Sequence, residues 1–197
     1  MAKTVRNKLI IFGAIVLMVF IASVASAPAK ETRPTRGPDI HFVPTPHEVV
    51  EVMLRLVDLK KDDIVYDLGC GDGRIVIAAA KKAGVKAYGF DIDPAMVEKS
   101  TQNVKKENLE NLITIEHADV FELDLSGASV ITLYLLPRLN VKLIPQLEKL
   151  KPGSRIVSHD FDMEGIQPDV EATVYYGEKR RASKVYMWTT PLQRVKN

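Results

Sequence analysis

Three glycines at alternate positions form the segment of this chain whose residue types most clearly suggest ligand binding. Gly69, Gly71 and Gly73 come directly after a short apolar run and directly before a helical pattern. Because glycine has no Cβ atom, it lets the backbone turn tightly and approach a ligand closely. A dinucleotide-binding turn requires a further glycine where this chain has Arg74. The pattern therefore predicts a ligand-holding turn and disfavours a nicotinamide oxidoreductase.

Two aspartates follow the next two apolar runs and have the chemistry to complete a nucleoside site. Asp91 ends the second predicted strand, 18 residues after Gly73, where a carboxylate can accept hydrogen bonds from both hydroxyls of a ribose. Asp119 follows the third predicted strand and can accept a hydrogen bond from an exocyclic amine. Ile92 and Val120 stand next to these aspartates and can flank an aromatic ring. The spacing predicts one site for a ligand that contains a nucleoside.

Alternating strand and helix patterns predict the scaffold that brings these residues together. The predicted strands are 64–68, 87–90, 113–117, 130–135, 155–159, 172–176 and 184–189, and the predicted helices are about 45–57, 74–82, 93–108 and 141–150. This alternation is typical of a doubly wound, mostly parallel α/β sheet with helices on both faces and a C-terminal antiparallel hairpin. Since ligands bind beyond the carboxyl ends of such strands, the segments to examine are 67–74, 91–94, 117–121, 134–138 and 159–162.

The first helix has a recognisable start. Thr45 can cap it, Pro46 suits the first helical position, and Glu48 stands at the spacing of a capping box. We therefore predict that Thr45 caps this helix.

Composition and charge exclude several classes of protein and of site. The single cysteine excludes an internal disulfide framework and a thiolate-rich metal site, and the histidines are dispersed, so we predict no metal centre. Residues 1–36 hold six basic side chains against one acidic, whereas residues 37–197 hold 21 basic against 24 acidic. A nucleic-acid-binding domain should carry a basic face. Because the basic excess belongs to the first 36 residues, we expect no nucleic-acid partner.

The first 40 residues read as a leader and a linker. Three basic residues among the first eight precede the uncharged segment 9–29, which as a helix would be roughly 32 Å long, enough to cross a membrane. Residues 25–27, Ala-Ser-Ala, match a signal-peptidase site, so a retained anchor and a cleaved export signal both stay open. We divide the chain into a hydrophobic anchor or signal segment 1–29, a proline-rich linker 30–40 and a folded domain 41–197.

The motifs at the first three strand ends resemble those of class I S-adenosylmethionine-dependent methyltransferases, which have a Rossmann-like fold. The matching segments are Asp67-Leu68-Gly69-Cys70-Gly71-Asp72-Gly73, Phe90-Asp91-Ile92-Asp93-Pro94 and Ala118-Asp119-Val120. The resemblance covers about residues 40–190 and implies a seven-stranded sheet whose last hairpin is reversed. It also implies that S-adenosyl-L-methionine is the cofactor, with Asp67 and the three glycines at its methionine end, Asp91 at the ribose and Asp119 at the adenine.

The segment after the fourth predicted strand bears on the acceptor. Methyltransferases that act on the amines of adenine or glutamine carry Asn/Asp-Pro-Pro-Tyr there, whereas residues 134–137 of this chain are Tyr-Leu-Leu-Pro. That departure argues against a nucleobase acceptor. The same segment, together with residues 41–46 (His-Phe-Val-Pro-Thr-Pro) and the apolar segment 9–29, is similar to a small family of membrane-anchored protein-lysine methyltransferases. Its animal members act on the adenine nucleotide translocase and the ATP synthase c-subunit, which implies a membrane-associated protein substrate.

Methyl transfer to an amine requires few groups beyond a positioned nucleophile. The reaction is an in-line displacement at a sulfonium methyl, so most of the catalysis lies in holding the nucleophile about 3–3.5 Å from the methyl carbon. A lysine must also lose its proton, and an apolar channel favours the neutral amine. The residues expected to wall this channel are Phe42, Pro44, Tyr134 and Pro137. Thr45 and the Tyr134 hydroxyl are the candidate catalytic groups that would orient the amine.

The source of the cofactor bears on the leader. S-adenosylmethionine is made inside cells, so export would separate the domain from its methyl donor. This favours segment 9–29 as a retained single-pass anchor, with the domain on the cofactor-containing side of the membrane. Cleavage and export of a non-catalytic domain of the same fold is the alternative, and a small-molecule acceptor also stays open. The sequence does not predict an oligomeric state.

Overall fold

The computed structural model of the chain describes residues 36–195. The apolar segment 9–29, predicted to form an N-terminal hydrophobic helix, lies outside these residues. Within 36–195, no helix is both long and apolar enough to cross a membrane. The strands are β1 (Ile64–Leu68), β2 (Lys86–Asp91), β3 (Ile113–His117), β4 (Val130–Leu133), β5 (Arg155–His159), β6 (Val170–Tyr176) and β7 (Arg181–Thr189). The helices are α1 (His47–Leu56), α2 (Arg74–Ala83), α3 (Pro94–Lys106) and α4 (Pro137–Leu147).

The strands form one mixed sheet in the order β3-β2-β1-β4-β5-β7-β6. The strands β1 to β5 are parallel, and β7 runs antiparallel to both β5 and β6. The predicted doubly wound sheet with a C-terminal antiparallel hairpin is therefore confirmed. Strand order reverses between β1 and β4, where a ligand crevice is expected. The first residues of β7 reach the same edge, because Val185 pairs with His159 at the end of β5.

Helices cover both faces of the sheet, as predicted. The helices α1, α2 and α3 contribute Met53, Val76 and Val104 to one cluster of buried side chains. Helix α4 contributes Leu143 to a second cluster, which also contains Trp188 of β7. Each such side chain stabilises the fold by about 1.5–3 kcal/mol relative to an exposed position. The two clusters hold the strands rigidly and so fix the positions of the residues that follow them.

Two helices begin differently from their predicted starts. Helix α1 begins at His47, with Pro46 before it and no side-chain cap, so the prediction that Thr45 caps this helix is wrong. The Thr45 hydroxyl instead lies 3.2 Å from Nδ1 of His159. Helix α4 begins at Pro137, four residues before its predicted start, because proline is well suited to a first turn whose N–H groups need no partner within the helix.

Helices α2 and α3 begin where they were predicted to begin. Asp93 caps α3 by accepting a hydrogen bond from the backbone N–H of Ala95 at 2.9 Å, and the helix ends at Lys106, two residues before its predicted end. Helix α2 ends at Ala83, and Gly84 forms its C-cap with the left-handed φ angle of +65° that favours glycine at this position. Since Asp93 serves as the cap, Asp91 is left for another purpose.

Candidate active site

A cavity of about 260 Å³ lies at the carboxyl edge of the sheet. Its walls come from the segment before α1, from the β1–α2 turn and from residues that follow β2, β3, β4 and β5. The residues predicted for the site that line this cavity are Phe42, Thr45, Asp67, Gly69, Gly71, Asp91, Ile92, Val120 and Tyr134. Those that lie outside its lining are Pro44, Gly73, Asp119 and Pro137. The two prolines are exposed, Pro137 because it occupies the outer first turn of α4.

The β1–α2 turn is tight because its glycines adopt backbone conformations that other residues avoid. Gly69, Gly71 and Gly73 have φ angles of +79°, +55° and +79°. A Cβ atom at Gly71 would lie 2.2 Å from the ring of Phe42, so any other residue would displace that ring. The turn therefore presents bare backbone to the cavity, and the ring of Phe42, which also lines the cavity, packs directly on Gly71.

Asp67 carries an unpaired acceptor in the floor of the cavity. Its side chain is only 2% exposed, and its Oδ1 accepts a hydrogen bond from the hydroxyl of Thr132 at 2.6 Å. Among the described residues, its Oδ2 has no hydrogen-bond partner. Burial, opposed by the hydrogen bond from Thr132 and assisted by the nearby Asp91 and Asp72, raises the pKa of Asp67 to about 7. A buried carboxylate oxygen without a partner is costly in a fold and suits a cationic or hydrogen-bond-donating ligand.

Asp91 fixes the glycine turn as well as facing the cavity. Its Oδ2 accepts a hydrogen bond from the N–H of Gly71 at 2.8 Å, and its Oδ1 accepts one from the N–H of Asp93 at 2.9 Å. Burial raises the pKa of Asp91, while these backbone donors oppose the rise. Each carboxylate oxygen keeps a further lone pair, so the side chain can still accept from a ligand.

Asp119 is bound by an arginine from the segment that the sequence assigns to the linker. Arg36 donates from Nε and Nη2 to the two oxygens of Asp119, at 2.5 and 2.8 Å, and also pairs with Asp39. The hydrogen bond from Arg36 holds the pKa of Asp119 below its ordinary value. Arg36 and Asp39 line the cavity, whereas Asp119 stands behind Arg36.

The other half of the cavity is aromatic. Tyr134, after β4, and Phe161, after β5, both line it, with ring centroids 6.1 Å apart and nearly parallel planes. The ring of Tyr134 also packs against His159, with a centroid separation of 3.9 Å. Burial raises the pKa of the Tyr134 phenol. Thr45, which is 3% exposed, is a hydroxyl that lines the same cavity.

Arg74, the departure from the dinucleotide pattern, holds the segment before α1 in place. Its Nη1 donates to the backbone carbonyl of Thr45 at 2.7 Å, and its Nη2 pairs with Asp72 at 2.6 Å. A glycine at position 74 would make neither contact. The arginine thereby fixes the Thr45 hydroxyl relative to the glycine turn.

Sequence reasoning missed four residues around the cavity. Phe161 and His159 lie in the segment 159–162, which was predicted to be near the ligand because it follows the carboxyl end of a strand. Their residue types did not indicate a particular role. Arg36 and Asp39 lie in the predicted linker, where no periodicity or motif distinguishes them. Among residues 36–195, no group of three His, Cys, Asp or Glu side chains is arranged to hold a metal ion.

Comparison with known families agrees with this geometry. The profile of the ANTKMT methyltransferase domain matches residues 67–170, more than half of the chain. The chain belongs to the ANTKMT methyltransferase family. Residues 67–170 run from the aspartate of the glycine motif to the first residue of β6, so the match includes all three strand-end motifs.

Individual proteins and a solved structure are similar to this chain over most of its length. A protein-lysine N-methyltransferase from Saccharolobus islandicus is 42% identical over 152 residues, which are 76% of this chain and 94% of that protein. A lysine N-methyltransferase of the ATP synthase c-subunit from Rattus norvegicus is 30% identical over 165 residues, which are 81% of this chain and 71% of that protein. A crystal structure of an RNA methyltransferase from Salinibacter ruber with S-adenosyl-L-homocysteine is 46% identical, with a TM-score of 0.70 over 79% of this chain and 98% of that one.

These matches establish the class of this ANTKMT-family chain. It has the class I methyltransferase fold and is an S-adenosylmethionine-dependent methyltransferase. The resemblance seen in the sequence motifs is confirmed, and so is the predicted cofactor. The names of the relatives differ in the acceptor, which is lysine for two of them and RNA for the third.

Proposed function

We propose that this chain transfers a methyl group from S-adenosylmethionine to the ε-amino group of a lysine in a protein. The observation that carries the proposal is the charge of the cavity, whose described lining has five carboxyl groups against two guanidinium groups. The acidic members are Asp39, Asp67, Asp72, Asp91 and Asp93, and the basic members are Arg36 and Arg74. Such a lining attracts a cationic side chain and repels phosphate. The Saccharolobus islandicus and Rattus norvegicus relatives, both named lysine methyltransferases, support the same acceptor.

The residues at the ends of β1, β2 and β3 fit the methyl donor. We assign the unpaired Oδ2 of Asp67 to the donor's amino group, because a buried carboxylate without a partner suits an ammonium. Asp91 has lone pairs left for the ribose hydroxyls, and Ile92 and Val120 can flank the adenine. Asp119 would accept from the adenine amine once Arg36 moves aside. When bound, S-adenosylmethionine supplies an electrophilic methyl group on a sulfonium.

The aromatic half of the cavity fits the acceptor. If the adenosine lies over β2 and β3, the reactive end of the donor points across β1 towards β4 and β5. Tyr134 and Phe161 wall that region, and Thr45 offers a hydroxyl to the amine. An apolar wall disfavours the ammonium form of lysine and so favours the nucleophilic amine. Phe42 completes the wall on the side of the glycine turn, whereas Pro44 and Pro137 are exposed and do not line the cavity.

The name of the Salinibacter ruber relative raises RNA as a second class of acceptor. RNA binding depends on basic side chains that contact phosphates. In the described lining of the cavity both guanidinium groups are already paired, Arg36 with Asp39 and Asp119, and Arg74 with Asp72. Neither guanidinium group of the described lining is therefore free for a phosphate backbone, and lysine is the better-supported acceptor.

We also propose that segment 9–29 is a retained membrane anchor and that the substrate is a membrane-associated protein. The proposal rests on the uncharged length of the segment, on the intracellular supply of the cofactor, and on the name of the rat relative, which gives the ATP synthase c-subunit as its substrate. Intact-mass measurement of the mature chain tests it. Retention of residues 1–27 is expected, and a mature N-terminus at Pro28 would contradict it.

The acceptor is tested by transfer of a radioactive methyl group from S-adenosylmethionine. The full chain is incubated with a membrane fraction and with total RNA from the same cells, and protein, RNA and small molecules are then separated. We expect the label in protein, recovered as methyllysine after acid hydrolysis. Label in RNA or in small molecules instead would refute the lysine acceptor while leaving the methyltransferase class intact.

Two variants make the assay specific to the cavity. Asp91→Ala removes a carboxylate of the proposed ribose site and should abolish both labelling and the binding of S-adenosylhomocysteine. Asp62→Asn removes an equal charge at the far end of β1, at an exposed position outside the cavity, and should leave both unchanged. Equal effects of the two variants would show that labelling does not come from the cavity.

A further inference from the structure

A buried histidine stands directly behind the aromatic half of the cavity. His159 is the last residue of β5, and its side chain is only 1% exposed. It does not line the cavity itself, but its Nδ1 lies 3.2 Å from the hydroxyl of Thr45, which does. The two residues are 114 positions apart in the chain. Burying an imidazole costs free energy unless its nitrogens are hydrogen-bonded. One of those hydrogen bonds connects His159 to a hydroxyl that faces the cavity.

The second nitrogen of His159 lies beside a partly exposed side chain. Its Nε2 lies 3.0 Å from the hydroxyl of Ser183 on β7 and 3.4 Å from Oδ2 of Asp160. Asp160 is 33% exposed and is held in a left-handed conformation with φ of +60°. Its Oδ1 accepts a hydrogen bond from the backbone N–H of Lys184 at 3.0 Å, which fixes the carboxylate beside the imidazole. A continuous row of polar groups thus runs from the cavity through the imidazole to the surface.

We assign one tautomer to His159 as part of the inference. A carboxylate can only accept, so Asp160, 3.4 Å from Nε2, favours the proton on that nitrogen, and the Ser183 hydroxyl can accept a hydrogen bond from it. Nδ1 then accepts a hydrogen bond from the hydroxyl of Thr45. The lone pairs of the Thr45 oxygen are left to accept a hydrogen bond from a group inside the cavity, such as the ammonium of a lysine.

The surroundings of the imidazole favour its neutral form. Burial lowers the pKa of His159, and the neighbouring carboxylate of Asp160 only partly opposes that effect. The phenol of Tyr134 faces the ring from the end of β4, and burial raises the pKa of that phenol, so it is neutral as well. Tyr176 approaches Tyr134 from β6, and the ammonium of Lys184 is paired with Glu171. The imidazole is therefore held in its neutral form, with a lone pair on one of its two nitrogens.

We propose that Thr45, His159 and Asp160 form the path by which the acceptor lysine loses its proton before methyl transfer. The proposal rests on the lysine acceptor proposed above. The ammonium gives a proton to the oxygen of Thr45 as the Thr45 hydroxyl proton passes to Nδ1 of His159, and the Nε2 proton leaves through Asp160 to solvent. The neutral amine then forms a bond to the methyl carbon while the bond from that carbon to sulfur breaks. The nitrogen becomes a methylated ammonium, and the sulfonium becomes a neutral thioether.

A purely structural histidine would be the competing explanation, since His159 also joins the segment before α1 to β5 and β7. The two explanations differ in their dependence on pH. A structural defect would reduce the rate by the same factor at every pH. Loss of a proton path should matter least at high pH, where the lysine, whose ordinary pKa is about 10.4, deprotonates without help.

The test is the rate of methyllysine formation by His159→Asn, measured on the same membrane fraction from about pH 6 to about pH 10. The asparagine amide can still meet Thr45, but it cannot accept a proton in this range. We expect a loss of about 100-fold near pH 7, a typical contribution of proton transfer by a positioned side chain. The loss should shrink by roughly tenfold for each pH unit, because the neutral fraction of an unassisted lysine rises at that rate.

Two further variants keep the test decisive. Thr45→Val removes the hydroxyl at constant shape and should give the same shrinking loss, with no added effect in combination with His159→Asn. His47→Asn changes an exposed histidine outside the cavity and should retain the wild-type rate at every pH. Binding of S-adenosylhomocysteine should be unchanged in His159→Asn and Thr45→Val, which separates folding defects from proton transfer. If His159→Asn fails to bind S-adenosylhomocysteine, the pH dependence of the rate of Thr45→Val decides between the proton path and a structural role.

Nitrogen NMR of the imidazole gives a readout independent of turnover. The signals of His159, assigned by their loss in His159→Asn, should report a neutral ring with its proton on Nε2 near pH 7. A ring protonated on Nδ1, or a loss of rate that is constant across pH in both variants, would overturn the path while leaving the lysine acceptor standing. Failure of the wild-type chain to form methyllysine at any pH would instead refute the proposed function itself.

Discussion

Two aspartates at opposite ends of β1 show how differently one strand can use the same side chain. Asp63, just before the strand, accepts hydrogen bonds from the N–H of Lys60 and the hydroxyl of Ser129, both at 2.7 Å, and pairs with Arg155. Asp67, near the strand's carboxyl end, has one oxygen bonded to a threonine and the other without a partner in the described part of the chain. Both side chains are buried.

The pKa values of the two carboxyls are shifted in opposite directions. Burial opposes ionisation of Asp63, but its hydrogen bonds and the charge of Arg155 bring its pKa below the ordinary value. Burial dominates at Asp67 and raises its pKa to about 7. At β1, the amino edge of the sheet is thus closed by the protein's own residues, whereas the carboxyl edge is left incomplete for a ligand to finish.

The largest expected effect is on stability at the closed end. Asp63→Asn removes the partner of a largely buried arginine, so we expect the free energy of unfolding to fall by about 3 kcal/mol. Urea denaturation measures this, with Asp62→Asn as the exposed neighbouring control. Affinity for S-adenosylhomocysteine should not change. A large loss of affinity would mean that the two ends of β1 are not independent.

A smaller effect is expected on ligand affinity at the open end. Asp67→Asn keeps the size of the side chain and the contact with Thr132 but removes the charge that would meet the donor's amino group. A charged hydrogen bond contributes about 2 kcal/mol, so calorimetry should show S-adenosylhomocysteine binding weaker by roughly 30-fold. Stability without ligand should stay equal or increase. Unchanged affinity would remove Asp67 from the donor site.

The two carboxyls should also respond to pH with opposite signs. The folded chain keeps a proton on Asp67 up to about pH 7, while the unfolded chain loses it near the ordinary value of 3.8, so this group lowers stability as pH rises between those values. Asp63, whose pKa is lowered, stabilises the fold at neutral pH and loses that effect only as pH falls through its folded pKa. The measurement is the free energy of unfolding of Asp67→Asn in urea from about pH 4 to about pH 8, without ligand. In this variant the part of the decrease in stability with rising pH that comes from Asp67 should be absent. An identical pH profile in wild type and variant would contradict the raised pKa.

The smallest effect concerns Asp119, which lies at the open edge but has a partner. Arg36 occupies both of its oxygens and is itself about one-third exposed, so the pair adds less than about 1 kcal/mol to stability. Because the ligand must replace Arg36, we expect Arg36→Ala to bind S-adenosylhomocysteine a few-fold more tightly in calorimetry. Weaker binding would show instead that Arg36 contacts the ligand.

The parts of the site that the sequence predicted are those set by local pattern. The glycine turn, Asp67 and Asp91 follow from strand periodicity and from what a tight turn requires, and the structure brings them to one cavity. Their individual roles stay predictions. The parallel core and the antiparallel hairpin followed from the alternation of elements. The order of the strands in the sheet was not predicted.

The parts that the sequence did not predict depend on contacts between distant segments. Thr45 had the pattern of a helix cap, and only the folded sheet brings His159 to its hydroxyl. Arg36 had the context of a linker, and its partner Asp119 is 83 positions away. Helix α4 begins earlier than predicted because Pro137, which was predicted to wall the acceptor channel, is the first residue of the helix.

The reversed direction of β7 has a consequence for the order in which the protein becomes active. Ser183 and Lys184, which support His159 and Asp160, are supplied by one of the last strands of the sheet. Synthesis proceeds from the N-terminus, so every residue of the proposed donor site is made before these residues. A chain that ended after β5 would carry the proposed donor residues but would lack the residues that support the proposed proton path. We therefore expect methyl transfer to reach its full rate only when the hairpin has docked.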